Sequence, residues 1–417
     1  MTAAMRLKDE RLQRCPRSNS HLPPSTAFVI TPSVHKGPLN LTLPNREPGF
    51  SFLARNFGAQ DERFRGAFGI LEKAIAARAF PGCSLAVTVR GELIAHKALG
   101  RFTYDPASPE VSTASLFDLA SLTKVVATAA MAMILYERGL LDLEAPVSGI
   151  VHEFADDDPR RREVTLRMLL AHSSGLPAYE KLFLRAKTRD ALRQAAFATP
   201  LTSDPGRRAE YSDIGFIILG VALERLADER LDVFCQREIF GPLGMTHTTF
   251  NPAHALKDSI PPTANDRSFR RRIIQGEVQD ENASVLGGVA GHAGLFSTAE
   301  DMAIFAHAML SGGHPILRNS TVELFSRREA EPEGTARALG WDTPSGLSQS
   351  GKYFSPRSFG HLGYTGTSLW IDPEWQASIT LLTNRTWPDC QNQAIKQVRP
   401  AFYDAVMEAL GAAAPSA

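Results

Sequence analysis

The chain has 417 residues, 43% of them hydrophobic and 22% charged. That is the composition of a soluble globular protein, long enough to bury a sizeable core as two or three domains or as one large subdivided domain. Lys plus Arg and Asp plus Glu stand equal at 45 each, so no overall field draws the chain to nucleic acid or to an anionic membrane, and neither is expected as a partner.

Residues 1–57 are rich in Pro, Ser and Asn without sustained periodicity and are expected to form a poorly ordered extension. The N-terminus carries charges where a secretory signal needs an apolar run. No later stretch reaches the roughly 18 consecutive apolar residues of a membrane span, so a cytoplasmic location is expected, or a periplasmic or secreted one if the start site is misassigned. Order is expected from about Glu62, where Phe64, Phe68, Leu71 and Ile75 keep a helical spacing that "FPGC" ends. "CSLAVTVRGELIAHKALG" then reads as two strands joined at Arg90-Gly91. Cys83 and Cys235 lie in apolar patterns and read as core residues. With Cys15 and Cys390 they form no Cys-x-x-Cys pair, which argues against a zinc knuckle or a redox dithiol.

From Leu116 to about Phe305 the pattern is mostly helical, broken by Gly- and Pro-rich loops, and the basic "RSFRRRII" (Arg267 to Ile274) reads as a solvated loop. "FGHLGYTGTSLWIDPEWQASITLLTNR" returns to strands with a turn at Asp372-Pro373, and Ile395, Val398, Phe402, Val406 and Leu410 mark a closing amphipathic helix. The fold class this order predicts is α/β (α+β): an antiparallel sheet flanked by helices, with a mostly helical subdomain inserted between its two strand groups. The expected boundaries are an α/β part of about 58–118 and 340–411, a helical part of about 119–339, and a tail of 412–417.

Three segments carry candidate chemistry. Ser121 and Lys124, in "DLASLTKVVATAAM", sit three apart at the start of a predicted helix that Gly139 stops, so they share one face. A serine hydroxyl is a weak nucleophile until a neighbouring base takes its proton, and a lysine becomes that base when its pKa falls. The helix N-terminus adds free N–H groups where negative charge develops on an acyl intermediate. The pair is weak as a pattern, since the chain repeats it at Ser33 and Lys36, and it also fits a helix cap beside a surface lysine. In the second segment Tyr211, Ser212 and Asp213 open a strongly apolar helix, where Ser212 or Asp213 fits a cap and Tyr211 fits a core ring. In the third, Gly360, Gly363 and Gly366 recur every third residue in "FGHLGYTGT", which lets another backbone or a ligand approach closely. No Gly-x-Ser-x-Gly elbow, His-Glu-x-x-His pair or phosphate loop occurs, and the eleven histidines show no metal-ligand spacing. No metal and no cofactor are expected.

Together, in this order, the three segments resemble the serine β-lactamase and penicillin-binding-protein superfamily, in its class C, D-alanyl-D-alanine peptidase and esterase branch. "LLAHSSGLP" (Leu169 to Pro177), "IFGPLGM" (Ile239 to Met245) and "TGTSLWIDPE" (Thr365 to Glu374) look like phrases of that family, and the resemblance covers roughly Glu62 to Leu410. It implies Ser121 as the acylated nucleophile, Lys124 as its base, and Tyr211 as the acid/base that relays a proton to the leaving group. It implies His361 as a supporting residue where many relatives carry lysine, helping to hold Tyr211 ionisable. It also implies an oxyanion hole from the backbone N–H groups of Ser121 and Tyr364, beside Gly363. Asp213 departs from the usual asparagine and sets a carboxylate where an amide faces substrate. Leu362 replaces a threonine or serine whose hydroxyl helps relatives bind a substrate carboxylate, and Arg337 and Arg385 are the candidates to replace it. "GEVQDENASVLGGVAGHAGLFSTAED" (Gly276 to Asp301) is similar to a subgroup near penicillin-binding protein 4B and N-acetylmuramoyl-L-alanine amidases, with Gln279 where a histidine is expected. His292, within it, reads as a packed histidine.

The resemblance implies a serine hydrolase acting on a small amide or ester, with muropeptides of the cell wall as first substrates. Carboxylesterase, β-lactamase and D-Ala-D-Ala carboxypeptidase activities remain alternatives, as does a non-enzymatic sensor that is acylated without turning over.

Overall fold

The computed structural model describes residues 53–412 apart from 156 and 347. Ser33 and Lys36, most of the expected extension and most of the expected tail lie outside the described residues. Pairing already begins inside the expected extension: β1 (Ala54–Arg55) runs parallel to the strand Glu92–Gly100, and two residues are too few for a period to be read. The Phe64 pattern is a helix over Arg65–Ala76. β2 (Gly82–Val89) and β3 (Glu92–Gly100) form the expected hairpin. Arg90 and Gly91 both take positive φ, 48° and 82°, as a type I′ turn requires.

β2 and β3 join β9 (Phe359–Leu362), β10 (Ser368–Asp372) and β11 (Ala377–Thr383) in a six-stranded sheet of order β1-β3-β2-β11-β10-β9. All its pairings except β1 with β3 are antiparallel. Both faces of the central strands are covered, so every residue of β11 is buried, and the sequence there runs apolar or small rather than cleanly alternating. One face receives the Arg65–Ala76 helix and the closing Ile395–Ala409 helix, where Phe68, Leu71, Phe402 and Val406 pack with Trp370 and Leu381. Burial of each such side chain stabilises the fold by about 1.5–3 kcal/mol. The other face packs the Ala299–Leu310 helix against β2, β10 and β11.

The inserted part is not purely helical. β4 (Phe117–Asp118), β5 (Thr249–Phe250) and β8 (Leu295–Ser297) form a three-stranded sheet, and β6 (Ala264–Asp266) pairs with β7 (Arg272–Ile274). These strands have two or three residues each and leave no alternation to read. The basic run is therefore part hairpin rather than a solvated loop. Arg270 donates to the carbonyls of Val278 and Gln279 at 2.6 and 2.5 Å and to Asp266 at 3.2 Å, fixing the hairpin against the segment that lines the site.

Among the described residues one helix qualifies by length and composition to cross a membrane, contrary to the expectation that none would: Ala120–Glu137, of which 83% is buried within the protein. Its burial makes it a core helix, and its first turn carries the nucleophile candidate.

Candidate active site

Ser121 lies in the single 3₁₀ turn (Ala120–Leu122) that follows β4. The chain then winds as a π-helix over Lys124–Ala129 and as an α-helix over Ala130–Glu137. Ala120, immediately before Ser121, is held at φ 48°, a left-handed conformation that costs a non-glycine residue of the order of 1 kcal/mol or more and persists where the surroundings enforce it. Here they do so through Asp118, whose Oδ1 accepts the Ala120 N–H at 2.8 Å and whose Oδ2 accepts the Gln279 N–H at 2.6 Å. Burial pushes the Asp118 carboxyl up to about 6 despite these two donors.

The three candidate catalytic side chains meet at one atom. Ser121 Oγ accepts from Lys124 Nζ at 2.9 Å and from the Tyr211 hydroxyl at 2.6 Å. Lys124 is fully buried, and its ammonium donates also to Asp213 Oδ1 at 2.6 Å and to the His292 carbonyl at 3.1 Å. Burial pushes the lysine down from its ordinary range and the Asp213 carboxylate pulls it back up. Withdrawal from solvent and the Asp213 charge raise the Tyr211 phenol well above its usual value, against the lowering effect of Ser121 and Arg337. The resting phenol is therefore protonated.

Ser212, not Asp213, caps the helix Asp213–Ala227: its Oγ accepts the Gly215 N–H at 3.0 Å and donates to the Pro177 carbonyl at 2.7 Å. Asp213 is left to pair with Lys124, its side chain 17% exposed. Its charge is thus turned onto the lysine rather than directed, uncompensated, at substrate.

His361 is buried. Its Nδ1 lies 2.9 Å from the Leu362 carbonyl, and its ring centroid is 6.0 Å from that of Tyr211. Burial first, then nearby Lys124 and Arg337, push the imidazole well below its ordinary value, so it is neutral and supplies no charge to a phenolate. The cations beside Tyr211 are Lys124, 4.8 Å from the ring centroid, and Arg337, 5.5 Å from it. A buried imidazole among cations does not hold a proton, so the positive charges beside the Tyr211 ring are those of Lys124 and Arg337.

The turn after β9 faces Ser121 from the other side. Thr365 Oγ1 donates to the Asp118 carbonyl at 2.7 Å and Thr367 Oγ1 to the Leu119 carbonyl at 2.8 Å, so the turn is latched to the two residues before the Ser121 turn. Arg399, buried in the closing helix, holds the same turn by its carbonyls, Gly363 and Thr367, each at 2.8 Å. A Cβ on Gly363 would fall 1.9 Å from Thr367 Oγ1 and 2.5 Å from the Leu119 carbonyl, so only glycine permits the approach. Among the described residues the Tyr364 N–H donates to no backbone carbonyl, and the N–H of Ser121 belongs to a first helical turn, which leaves such groups without intrahelical partners.

The two arginines expected to replace the missing hydroxyl at Leu362 are both engaged. Arg337 is ion-paired with Asp342. Arg385 donates to the carbonyls of Tyr364, Cys390 and Asn392 at 2.7, 3.1 and 3.2 Å.

Several site residues escaped the sequence reading. Asp280 Oδ1 meets His292 Nε2 at 2.8 Å and accepts the Ala283 N–H at 2.7 Å, so the segment Gly276 to Asp301 forms a wall of the site and not only a turn into the next helix. His292 is a packed, hydrogen-bonded histidine as expected, and its carbonyl reaches Lys124. His172, Thr365 and Thr367 stand in the sequence only as neighbours in the family phrases, and Arg399 as one polar position of the closing helix.

Residues 68–399 match the family model described as Beta-lactamase; the chain belongs to the beta-lactamase family. It is 34% identical over 366 residues to the N-acetylmuramyl-L-alanine amidase of Bacillus subtilis (strain 168), covering 78% of this chain and 81% of that protein. It is 34% identical over 350 residues to a putative D-alanyl-D-alanine carboxypeptidase of Salmonella typhi, covering 73% and 79%. Among solved structures, EstCE1, "a hydrolase with promiscuous acyltransferase activity", shares the fold with a TM-score of 0.68 at 21% identity, over 83% of this chain and 99% of that one. A penicillin-binding protein homologue from Pyrococcus abyssi does so with a TM-score of 0.64 at 21% identity, over 83% and 77%. The protein is accordingly a serine hydrolase of the β-lactamase-like fold.

Proposed function

We propose that this protein hydrolyses a neutral acyl amide through acylation of Ser121, and that N-acetylmuramoyl-L-alanine amides released from peptidoglycan are its substrates. The observation that carries the reading is the convergence of Lys124 Nζ and the Tyr211 hydroxyl on Ser121 Oγ. In its neutral form Lys124 accepts the Ser121 proton as Oγ attacks the carbonyl carbon. The oxyanion is received by the N–H groups of Ser121 and Tyr364. As the carbon–nitrogen bond breaks, Tyr211 gives its phenolic proton to the departing amine and regains one from Lys124. Water then attacks the acyl-serine by the same route reversed, restoring the Ser121 hydroxyl and releasing the acid.

The preference for a neutral acyl group rests on Leu362, which offers no hydrogen bond, and on the engagement of Arg337 and Arg385 by the protein itself. The amidase named among the relatives fits that preference where the alanine carboxyl is bonded onward into a stem peptide and carries no charge. A carboxypeptidase or β-lactamase substrate brings a carboxylate, and an ion leaving water without replacement partners costs several kcal/mol.

The test has two arms. Intact mass after a fluorophosphonate probe is expected to show one adduct, at Ser121. kcat/KM for N-acetylmuramoyl-L-alaninamide, whose alanine carboxyl is capped as it is inside a stem peptide, a p-nitrophenyl ester, a D-alanyl-D-alanine peptide and nitrocefin is then compared, with the amide and ester expected to lead. Leadership by the D-alanine peptide or nitrocefin overturns the substrate assignment. An adduct with no turnover of any substrate points to the sensor.

A further inference from the structure

The phrase "AHSSGLP" has no part in the acyl-transfer chemistry above, yet its histidine lies against the tyrosine. His172 grips the Tyr211 segment on both sides: its carbonyl accepts the Glu210 N–H at 2.8 Å, and its ring Nδ1 accepts the Ser212 N–H at 3.0 Å. The ring itself packs against both Tyr211 and Phe216, with centroids 4.7 and 4.9 Å away and planes tilted by 36° and 33°. The residue is 2% exposed and is held at φ 57°, a left-handed conformation that a histidine adopts only where its surroundings repay it.

The tautomer follows from these contacts. Because Nδ1 accepts a backbone N–H, the ring proton of the neutral form sits on Nε2. Burial, followed by the nearby charges of Arg337 and Lys124, pushes the imidazole well below its ordinary value, so the neutral form is the one present. Around the Tyr211 phenol, then, Lys124 and Arg337 are the cations, Asp213 the anion, and His172 and His361 neutral rings.

We propose that His172 is a positioning residue for turnover: its ring nitrogen and its carbonyl fix the backbone on both sides of Tyr211, and its ring face fixes the phenol plane, so that the hydroxyl stays on Ser121 Oγ. This rests on the acid/base role given to Tyr211 above. A hydroxyl held 2.6 Å from Ser121 Oγ by one residue is sensitive to that residue. A misplacement of about 1 Å in a catalytic group costs on the order of 100-fold in rate. Binding of the acyl group involves none of these contacts and should be spared.

The experiment compares four variants on the best substrate of the panel, each with its thermal midpoint. His172→Asn keeps an acceptor near the Nδ1 position and tolerates positive φ. It is expected to retain kcat within about tenfold of the parent. His172→Phe keeps a ring but loses the acceptor, and His172→Gln places its amide beyond the Ser212 N–H. Both are expected to lose about 100-fold in kcat with KM within about threefold, and His172→Gln remains informative if His172→Phe does not fold. Tyr211→Phe is the control: if it keeps kcat, the role of Tyr211 fails and that of His172 with it. If Tyr211→Phe is crippled but a folded His172→Phe or His172→Gln keeps the parent kcat, the His172 proposal alone is overturned. It is likewise overturned if the loss falls in KM, or if His172→Asn loses as much as the other two.

Discussion

Ser121 is approached from two sides that are built differently. On one side stand Lys124, Tyr211 and Asp213, three ionisable side chains whose arrangement depends on which of them holds a proton. On the other stands the Gly363–Thr367 turn, which offers a backbone N–H and is fixed by hydroxyls, by the buried Arg399 and by the absence of a side chain at Gly363. The first side should respond to pH and to changes of charge. The second should respond to changes of volume and scarcely to pH. That contrast orders the expected effects.

The largest effect belongs to the atom both sides serve. Ser121→Ala removes the nucleophile and is expected to abolish probe labelling and to lower kcat by a factor of about 10³ or more, leaving only binding and oxyanion effects. Persistent labelling in this variant, seen by intact mass, would place the chemistry elsewhere.

Next comes the backbone side. Gly363→Ala puts a methyl where Thr367 Oγ1 and the Leu119 carbonyl already sit. The turn must move, and the Tyr364 N–H with it. Loss of one oxyanion donor costs roughly 10²–10³ in kcat. A loss of that size, with a pH profile parallel to the parent's, is the expected result. A profile shifted along the pH axis would show that the two sides are not separable.

The charged side gives the third effect, and it has a sign. Asp213 raises the Lys124 pKa while burial lowers it. If neutral Lys124 is the base, kcat/KM climbs as pH rises through that pKa. Asp213→Asn removes the raising influence, so the acid limb should move to lower pH, by at least about one unit given an opposite charge at ion-pair distance. A limb that stays in place or moves upward removes Lys124 from the role of base.

How much of this was legible in the sequence differs between the same two sides. Ser121 with Lys124 is a short local pattern whose spacing of three sets both on one helical face, and Tyr211, Ser212 and Asp213 are a local pattern at the start of another helix. The outer elements were legible for the same reason: the hairpin at Arg90-Gly91 and the closing helix declare themselves by turn chemistry and period. The latches were not. Arg399 sits 36 positions from Gly363 and reads in sequence as one polar residue of an amphipathic helix. Thr365 and Thr367 meet carbonyls almost 250 positions away. The neutrality of His361 could not be read either, since it follows from burial beside Lys124 and Arg337, and burial of a single imidazole has no sequence signature. β1, β4, β5 and β8 were missed because strands of two or three residues carry no alternation.

The smallest expected effect is also the one that bears on substrate choice. Leu362 is the last residue of β9, half-buried beside the site, and pairs with Ser368 of β10. Leu362→Thr restores a hydroxyl at that point and introduces a β-branched residue, which suits a strand. A single hydrogen bond to a charged group contributes about 1.5–3 kcal/mol. At the upper end that would raise kcat/KM for a carboxylate-bearing substrate about 100-fold. The smaller figure is the better expectation here, because one hydroxyl does not replace a full set of partners for an ion, and Arg337 and Arg385 stay tied to Asp342 and to backbone carbonyls. The expected outcome is therefore a gain of about tenfold for nitrocefin or the D-alanyl-D-alanine peptide, with turnover of the carboxyl-capped N-acetylmuramoyl-L-alaninamide changed by less than about threefold. The two substrates measured side by side on one preparation make the comparison. If both rise or fall together, Leu362 acts through the shape of the strand. If the carboxylate substrates already match the amide in the parent protein, carboxylate recognition resides in a group other than position 362, and the preference for a neutral acyl chain is refuted.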